Sequence, residues 1–303
     1  METIKSALLA GESLLSRAGF DSSPRHNAEL MLQAAIGVDR TALYLRLQDQ
    51  LPPVATETYN SFLARRLAAE PIQHIIGWAP FYGRRFLVGK ETFIPRFDSE
   101  RGVARAIEIL ANKRQPSSQG VSISDHSVEV LDLCCGCGVF GLSIAADLDN
   151  VRVTLLDIEE TPLTYAARNT RALNLSHRIT LERRNALEAF PESWHKRFDL
   201  IIANPPYIPV SEMTGLQRDV REGEPSMALT DGGDGLSFYR TWSESVPSLL
   251  KPDGRFITEI GDGAECKVSD ILRAGFTILS VISDLAGSER AIEAAARPSS
   301  IRS

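Results

Sequence analysis

Apolar residues recur at helical spacing through the first seventy or so positions: Leu8, Leu9, Leu14 and Leu15, then Leu30, Leu32 and Ile36, then Phe62, Leu63 and Leu67. Residues three and four apart share one helix face, so each set predicts a helix with one buried side. Ser22-Ser23-Pro24 has the form of a helix start, and Pro52-Pro53 breaks the pattern before the last set. A small helical bundle is expected over 1–71. Between 72 and 94 the pattern changes. Ile75, Ile76, Trp78, Phe81, Tyr82, Phe86, Leu87, Val88 and Phe93 favour strands, and Gly77, Gly83 and Gly89 punctuate them. That combination predicts a β-hairpin linker. Asp98 or Ser99 is placed to cap a helix whose buried face is Val103, Ile107 and Leu110. The polar, serine-rich stretch 115–127 reads as an exposed loop.

From Val128 onward, short apolar runs alternate with helical ones. Strands are expected at 128–133, 151–158, 179–183, 198–203 and 256–260, with a closing hairpin from 276–282 and 291–296. Helices are expected around 140–146, 165–173 and 239–250. This alternation predicts an α/β domain over 95–303, a mostly parallel sheet with helices on both faces.

Composition changes little. The 303 residues suffice for two domains, and 33 basic against 39 acidic residues leave a formal charge of −6. A protein that coats nucleic acid needs a basic excess, so that class is disfavoured. No apolar run approaches the ~20 residues of a membrane span, and Met1-Glu2-Thr3-Ile4-Lys5 lacks the layout of a signal peptide. Cys134, Cys135 and Cys137 crowd one turn and Cys266 stands apart, a poor disulfide framework. A cytoplasmic protein is the expectation. Cys134 and Cys137 have C-x-x-C spacing, but no second pair completes a zinc site, so no metal is expected and the cysteines read as small buried residues.

Two segments carry candidate chemistry. Asp132-Leu133-Cys134-Cys135-Gly136-Cys137-Gly138 closes the first expected strand and opens a helix, where small residues and free N–H groups let a ligand approach closely. Asp157 ends the next strand, placed to accept hydrogen bonds from ribose hydroxyls. The full Gly-x-Gly-x-x-Gly spacing of dinucleotide sites is missing, and S-adenosylmethionine suits the turn better than NAD. The second segment is Asn204-Pro205-Pro206-Tyr207, at the end of a strand. Two prolines remove two N–H donors. What remains are acceptors, the Asn204 side-chain oxygen and the Pro205 carbonyl, which together can hold a planar –NH2 group while Tyr207 stacks on it. That layout suits methyl transfer to an amide or aromatic amine nitrogen, with catalysis by positioning.

With these residues the chain resembles the HemK-type (PrmC-like) protein-(glutamine-N5) methyltransferases, nearly from end to end. The likeness runs through Glu70-Pro71-Ile72-Gln73-His74-Ile75-Ile76-Gly77, Phe93-Ile94-Pro95-Arg96-Phe97-Asp98-Ser99-Glu100, Asn204 to Pro209, Glu224-Pro225 with Ala228-Leu229, and Gly232-Gly233-Asp234-Gly235-Leu236. It continues through Glu259-Ile260-Gly261 and Asp284 to Arg290. The resemblance implies a Rossmann-like, seven-stranded class I methyltransferase domain, joined by a β-hairpin to a small helical domain that helps grip a protein substrate. It implies methyl transfer from S-adenosylmethionine to a glutamine, in the best-known members that of the Gly-Gly-Gln tip of a peptide chain release factor. Cofactor residues would be Cys134, Cys135, Gly136, Cys137, Gly138, Asp157, Asn185, Ala186 and Asn204. The catalytic clamp would be Asn204, Pro205, Pro206 and Tyr207. Cys134 stands where the family usually has Gly, Cys137 where it has Thr or Ser, and Asn185-Ala186 where it has an acid and a bulky residue. Four alternatives stand beside this reading: another protein acceptor such as a ribosomal protein, a small-molecule amine or amide, adenine-N6 of nucleic acid, and a non-catalytic binding protein. The acidic balance and the lack of a base-reading module weigh against a direct nucleic-acid substrate. The pairs Arg65-Arg66, Arg84-Arg85 and Arg183-Arg184 read as solvated surface pairs.

Overall fold

The computed structural model describes residues 2–19, 23–112 and 127–297. Most of the loop expected over 115–127, and Ser22 of the expected helix start, lie outside the described residues. In chain order the elements are α1 (Ile4–Ala18), α2 (Pro24–Ile36), α3 (Arg40–Leu45), α4 (Pro53–Leu67), α5 (Ile72–Ile76), β1 (Trp78–Phe81), β2 (Arg84–Leu87) and α6 (Glu100–Asn112). Then follow β3 (Val128–Leu133), α7 (Val139–Asp147), β4 (Val151–Asp157), α8 (Glu160–Ala172), β5 (Ile179–Arg183), β6 (Phe198–Ala203), α9 (Arg218–Gly223) and α10 (Ser226–Leu229). The last are α11 (Ser237–Ser245), β7 (Leu250–Glu259), α12 (Glu265–Leu272), β8 (Phe276–Ser283) and β9 (Glu289–Ala296).

Two compact units result. One comprises Met1–Trp78, Val88–Lys90 and Thr214–Glu224. Its first helix starts with a capping box, in which Ser6 N–H donates to Thr3 Oγ1 at 3.1 Å and Thr3 N–H to Ser6 Oγ at 2.9 Å. Ile4, Leu8, Leu15, Met31, Leu32 and Leu43 fill its core. Leu9 and Leu14, grouped with the apolar face from spacing alone, are instead half exposed. Glu29 is buried beside that core and accepts hydrogen bonds from Arg25 Nε at 2.9 Å, Arg40 Nε at 3.2 Å and the Tyr44 hydroxyl. Burial would raise its pKa, but these donors hold it below the ordinary glutamate value. Residues 72–76, expected in the hairpin, form α5 instead. Residues 214–224 fall within the span expected for the α/β domain. By their contacts they belong to the helical unit: Arg66, almost wholly buried rather than solvated, pairs with Asp219 at 3.0 Å, and a Cβ on Gly223 would lie 2.4 Å from Pro71 Cδ.

The second unit comprises Ala79–Leu87, Glu91–Met213 and Pro225–Ser303. Its short hairpin turns at Tyr82 (φ 48°) and Gly83 (φ 71°), the left-handed pair of a type I′ turn. Arg84 there pairs with Asp147. The main sheet has seven strands in the order β5-β4-β3-β6-β7-β9-β8. Strands β3 to β7 run parallel, and β9 is antiparallel to both β7 and β8. β6 buries Leu200, Ile201, Ile202 and Ala203 in succession, as a strand covered on both faces must. β7 begins earlier than expected, because Leu250 already pairs with Phe198; the register breaks and resumes at Arg255 opposite Leu200. Trp242, Tyr239, Phe198, Phe256 and Phe276 anchor the core of this unit. Strand order reverses between β3 and β6, and in such sheets ligands bind at the carboxyl ends beside that switch point.

Candidate active site

The turn after β3 bends back through three left-handed residues, Cys134 (φ 56°), Gly136 (φ 55°) and Gly138 (φ 86°). Cys134 occupies a conformation that costs a residue with a Cβ about 1–2 kcal/mol. Asp157, at the end of β4, straps the turn down: Gly136 N–H donates to its Oδ2 at 2.8 Å, and Glu159 N–H to its Oδ1 at 3.0 Å. Each oxygen keeps a lone pair for a further donor. Asp132 lies beneath, fully buried, and accepts Gly141 N–H at 2.8 Å. That N–H can reach it because α7 presses on β4: a Cβ on Gly141 would sit 2.6 Å from side-chain carbons of both Val153 and Leu155. Burial pushes Asp132 up to about 8; the Gly141 N–H opposes this and the charge of Asp157 adds to it. Asp157 is also raised, chiefly by burial and against the pull of its N–H donors. The thiols stay protonated at neutral pH, Cys137 being pushed by burial up to about 12. Among the described residues no group of three or more His, Cys, Asp or Glu is placed to share a metal ion.

A residue that sequence reasoning missed braces this turn. Asn169, on α8 and 1% exposed, donates from Nδ2 to the carbonyls of Cys137 at 3.0 Å and Leu87 at 3.1 Å. Its Oδ1 accepts the Leu87 N–H at 2.7 Å. Replacing it by Ala strands these buried groups. Asn169→Ala is therefore expected to cost about 2–3 kcal/mol, read as a lowered midpoint in urea.

The turn opens onto a cavity of about 290 Å³. Cys134 to Cys137, Asp157, Asn185 and Ala186 line one part of it; Asn204 and Pro206, at the end of β6, line another. Gly138 caps α7 behind the turn. Pro205 and Tyr207 are not in the lining: Pro205 is buried, and Tyr207 packs against the core and donates its hydroxyl to Glu259 Oε1 at 3.2 Å. Burial raises Tyr207 far above its ordinary value, so it remains a donor. Ala186 is 3% exposed, its carbonyl held by Trp242 Nε1–H at 2.9 Å. The large apolar surface in this part of the cavity comes from neighbours the sequence reading passed over, Ile158 and Leu187, which are 41% and 37% exposed. Asn185 turns its Oδ1 back to Leu187 N–H at 3.0 Å. Arg184 also lines the cavity, while Arg183 pairs with Glu160 at 3.1 Å.

The segment after Tyr207 is clasped by backbone. Ile208 N–H donates to Leu229 O and Val210 N–H to Gly233 O, both at 2.9 Å. Asp231 organises that clasp. Its Oδ1 accepts Gly233 N–H at 2.8 Å and Gly235 N–H at 3.0 Å, and its Oδ2 accepts Ser237 N–H at 3.0 Å at the start of α11.

A mostly parallel seven-stranded sheet, with an acid-bearing turn at its switch point and a cavity at its carboxyl ends, defines a class I S-adenosylmethionine-dependent methyltransferase. Residues 6–77 match the PrmC N-terminal domain family and residues 124–281 a methyltransferase domain family. The chain is 35% identical over 289 residues to a release factor glutamine methyltransferase of Cereibacter sphaeroides, covering 95% of this chain and 96% of that one. It is 33% identical over 291 residues to the protein of the same name from Geobacter sulfurreducens, covering 96% and 95%. It belongs to the release factor glutamine methyltransferase family.

Proposed function

We propose that this protein methylates the side-chain amide nitrogen of a glutamine in a peptide chain release factor. The observation that carries this is that Asn204 and Pro206 open into the same cavity as Asp157 and the Cys134–Cys137 turn. The donor and the amide would meet at the carboxyl ends of β3 and β6. The cavity fits S-adenosylmethionine by the chemistry of its walls. Asp157 has free lone pairs for ribose hydroxyls, and Ile158 and Leu187 offer apolar surface to a flat base. Asp132, held up near 8 without a cationic partner, regains its charge beside a cation. When bound, that cofactor supplies a methyl group on a cationic sulfur.

The protein's own part is positioning. Asn204 Oδ1 and the Pro205 carbonyl would accept both amide hydrogens, which pushes electron density onto nitrogen and aims its lone pair. Tyr207, fixed by Glu259, supports the clamp from behind the cavity rather than from its wall. Whole-length kinship with glutamine methyltransferases favours an amide over adenine as acceptor. No helix among the described residues is long and apolar enough to cross a membrane. The free thiols of Cys134, Cys135, Cys137 and Cys266 support work in the reducing cytoplasm.

The test incubates the protein with labelled S-adenosylmethionine and a purified release factor, then maps the label by mass spectrometry. Label on the Gly-Gly-Gln glutamine is expected, and its absence despite cofactor binding would sink the substrate assignment. Asp157→Ala should weaken cofactor binding at least about tenfold in calorimetry, the effect of one or two lost charged hydrogen bonds.

A further inference from the structure

Beside Ile202 and Ala203, the residues that lead to Asn204, lies a second space of about 10 Å³. That is room for a single water molecule. Its walls carry the polar residues Asp98, Ser99, Glu259 and Arg290 among apolar ones. Ser99 and Phe140 line both spaces, and of the two only Ser99 is polar. It is 4% exposed, and its hydroxyl finds no well-aligned partner, although it faces the Glu259 carboxyl closely enough to favour its charged form. Glu259, at the end of β7, is 7% exposed. Its Oε1 accepts the Tyr207 hydroxyl, and its backbone carbonyl accepts the buried Tyr239 hydroxyl at 2.8 Å. In the wall of the small space Arg290 donates to Asp284 at 2.8 Å and lies 3.5 Å from Asp98 and 3.9 Å from Asp262. The Asp98 side chain is 55% exposed. A file of polar groups therefore leads from the wall of the main cavity to solvent.

The reaction proposed above produces a proton that needs such a path. The amide lone pair forms the new C–N bond, the bond from methyl to sulfur breaks with its electron pair going to sulfur, and the positive charge passes to nitrogen. The nitrogen sheds one N–H proton as the C–N bond forms, because an N-protonated amide is too acidic to accumulate. We propose that Ser99 and Glu259 carry that proton out of the cavity to Asp98 and solvent. A proton reaching Ser99 Oγ displaces the hydroxyl's own proton onto the Glu259 carboxylate, which releases it through the water-sized space. Tyr207, which keeps its proton, and Tyr239 hold Glu259 in place. Burial pushes Glu259 up to about 7; Ser99, Tyr207 and Arg290 oppose that rise and Asp98 adds to it. A group poised there takes and returns a proton near neutrality. This inference rests on the amide-methylation reading.

The experiment measures single-turnover methyl transfer to a release factor between pH 5.5 and 9, for wild type, Glu259→Gln and Ser99→Ala. Glu259 must be a carboxylate to accept. Wild-type rates should therefore hold above about pH 7 and fall as the pH drops through that value. Glu259→Gln should be at least about tenfold slower and lose the acid limb, with its S-adenosylmethionine affinity unchanged. Ser99→Ala removes one oxygen and leaves the fold intact, and should slow transfer while keeping the acid limb. Wild-type turnover reports by itself on the amide reading, whereas the ratios of variant to wild type report on the relay. A Glu259→Gln protein with the wild-type rate and acid limb, or a Ser99→Ala protein with the wild-type rate, would overturn the relay.

Discussion

Asn204→Ala is expected to bind S-adenosylmethionine nearly as tightly as the wild type and to transfer methyl at least about 10²-fold more slowly. Ile201, Ile202 and Ala203 are buried, so strand β6 holds its last residue firmly. Pro205 and Pro206 follow with fixed φ and no N–H, which leaves little freedom in where the Asn204 side chain points. An amide nitrogen is a poor nucleophile because its lone pair is delocalised into the carbonyl. Removing one of two acceptors lets that lone pair relax and lets the group rotate. Loss of one such positioned polar group typically costs 10²–10³ in kcat, about 3–4 kcal/mol of barrier. The cofactor's main polar anchor, Asp157, lies at the end of another strand, so calorimetry should register little change. Single-turnover kinetics separate the two effects. An unchanged rate would rule out the clamp.

How legible this molecule was depends on whether a feature is local. Strands β3 and β6 stand where the apolar runs at 128–133 and 198–203 place them, because a strand buried in a parallel sheet must be apolar nearly throughout; β5, at the sheet edge and largely uncovered, stands at 179–183 as its position in the strand–helix alternation predicts. The acid at the end of β4 and the small residues after β3 were legible for the same reason: strand end and turn are adjacent in sequence. Residues 72–76 misled, since a single helical turn of Ile72, Ile75 and Ile76 offers no periodicity to set against its β-favouring composition. Arg66 misled as well, because its partner Asp219 is 153 positions away. Asn169 has no local signal, and the local signals at Ser99 (a candidate helix cap) and Glu259 (part of a family segment) say nothing of their pairing. The meaning of each comes from groups brought to it by other elements. Ala186 marks the boundary between the two cases. Ala186 lines the cavity, yet the exposed apolar side chain beside it is Leu187, because Trp242 from α11 holds the Ala186 carbonyl inward.

Gly235 tests whether the loop beyond the clamp sets its geometry. It has φ 77°, and a Cβ there would lie 2.1 Å from the Tyr207 carbonyl oxygen and 2.8 Å from its carbon. Contacts that short do not occur, and the obstacle is backbone, which no rotamer change relieves. Gly235→Ala must therefore displace the chain at Tyr207, or pull Gly235 N–H from Asp231 and loosen the loop that holds Ile208 and Val210. Either shift reaches Asn204 through two rigid prolines. A displacement of about 1 Å at a reacting group costs on the order of 10²-fold in rate. The left-handed backbone alone would cost about 1–2 kcal/mol in stability. Gly232 separates these effects. Its φ is 79°, and a Cβ there would meet nothing within 4 Å. Gly232→Ala should thus show the stability loss without the rate loss, while Gly235→Ala shows both. Thermal melts and single-turnover rates on the two variants make the comparison. Equal rates would mean that the close approach of the loop to Tyr207 does not set the clamp.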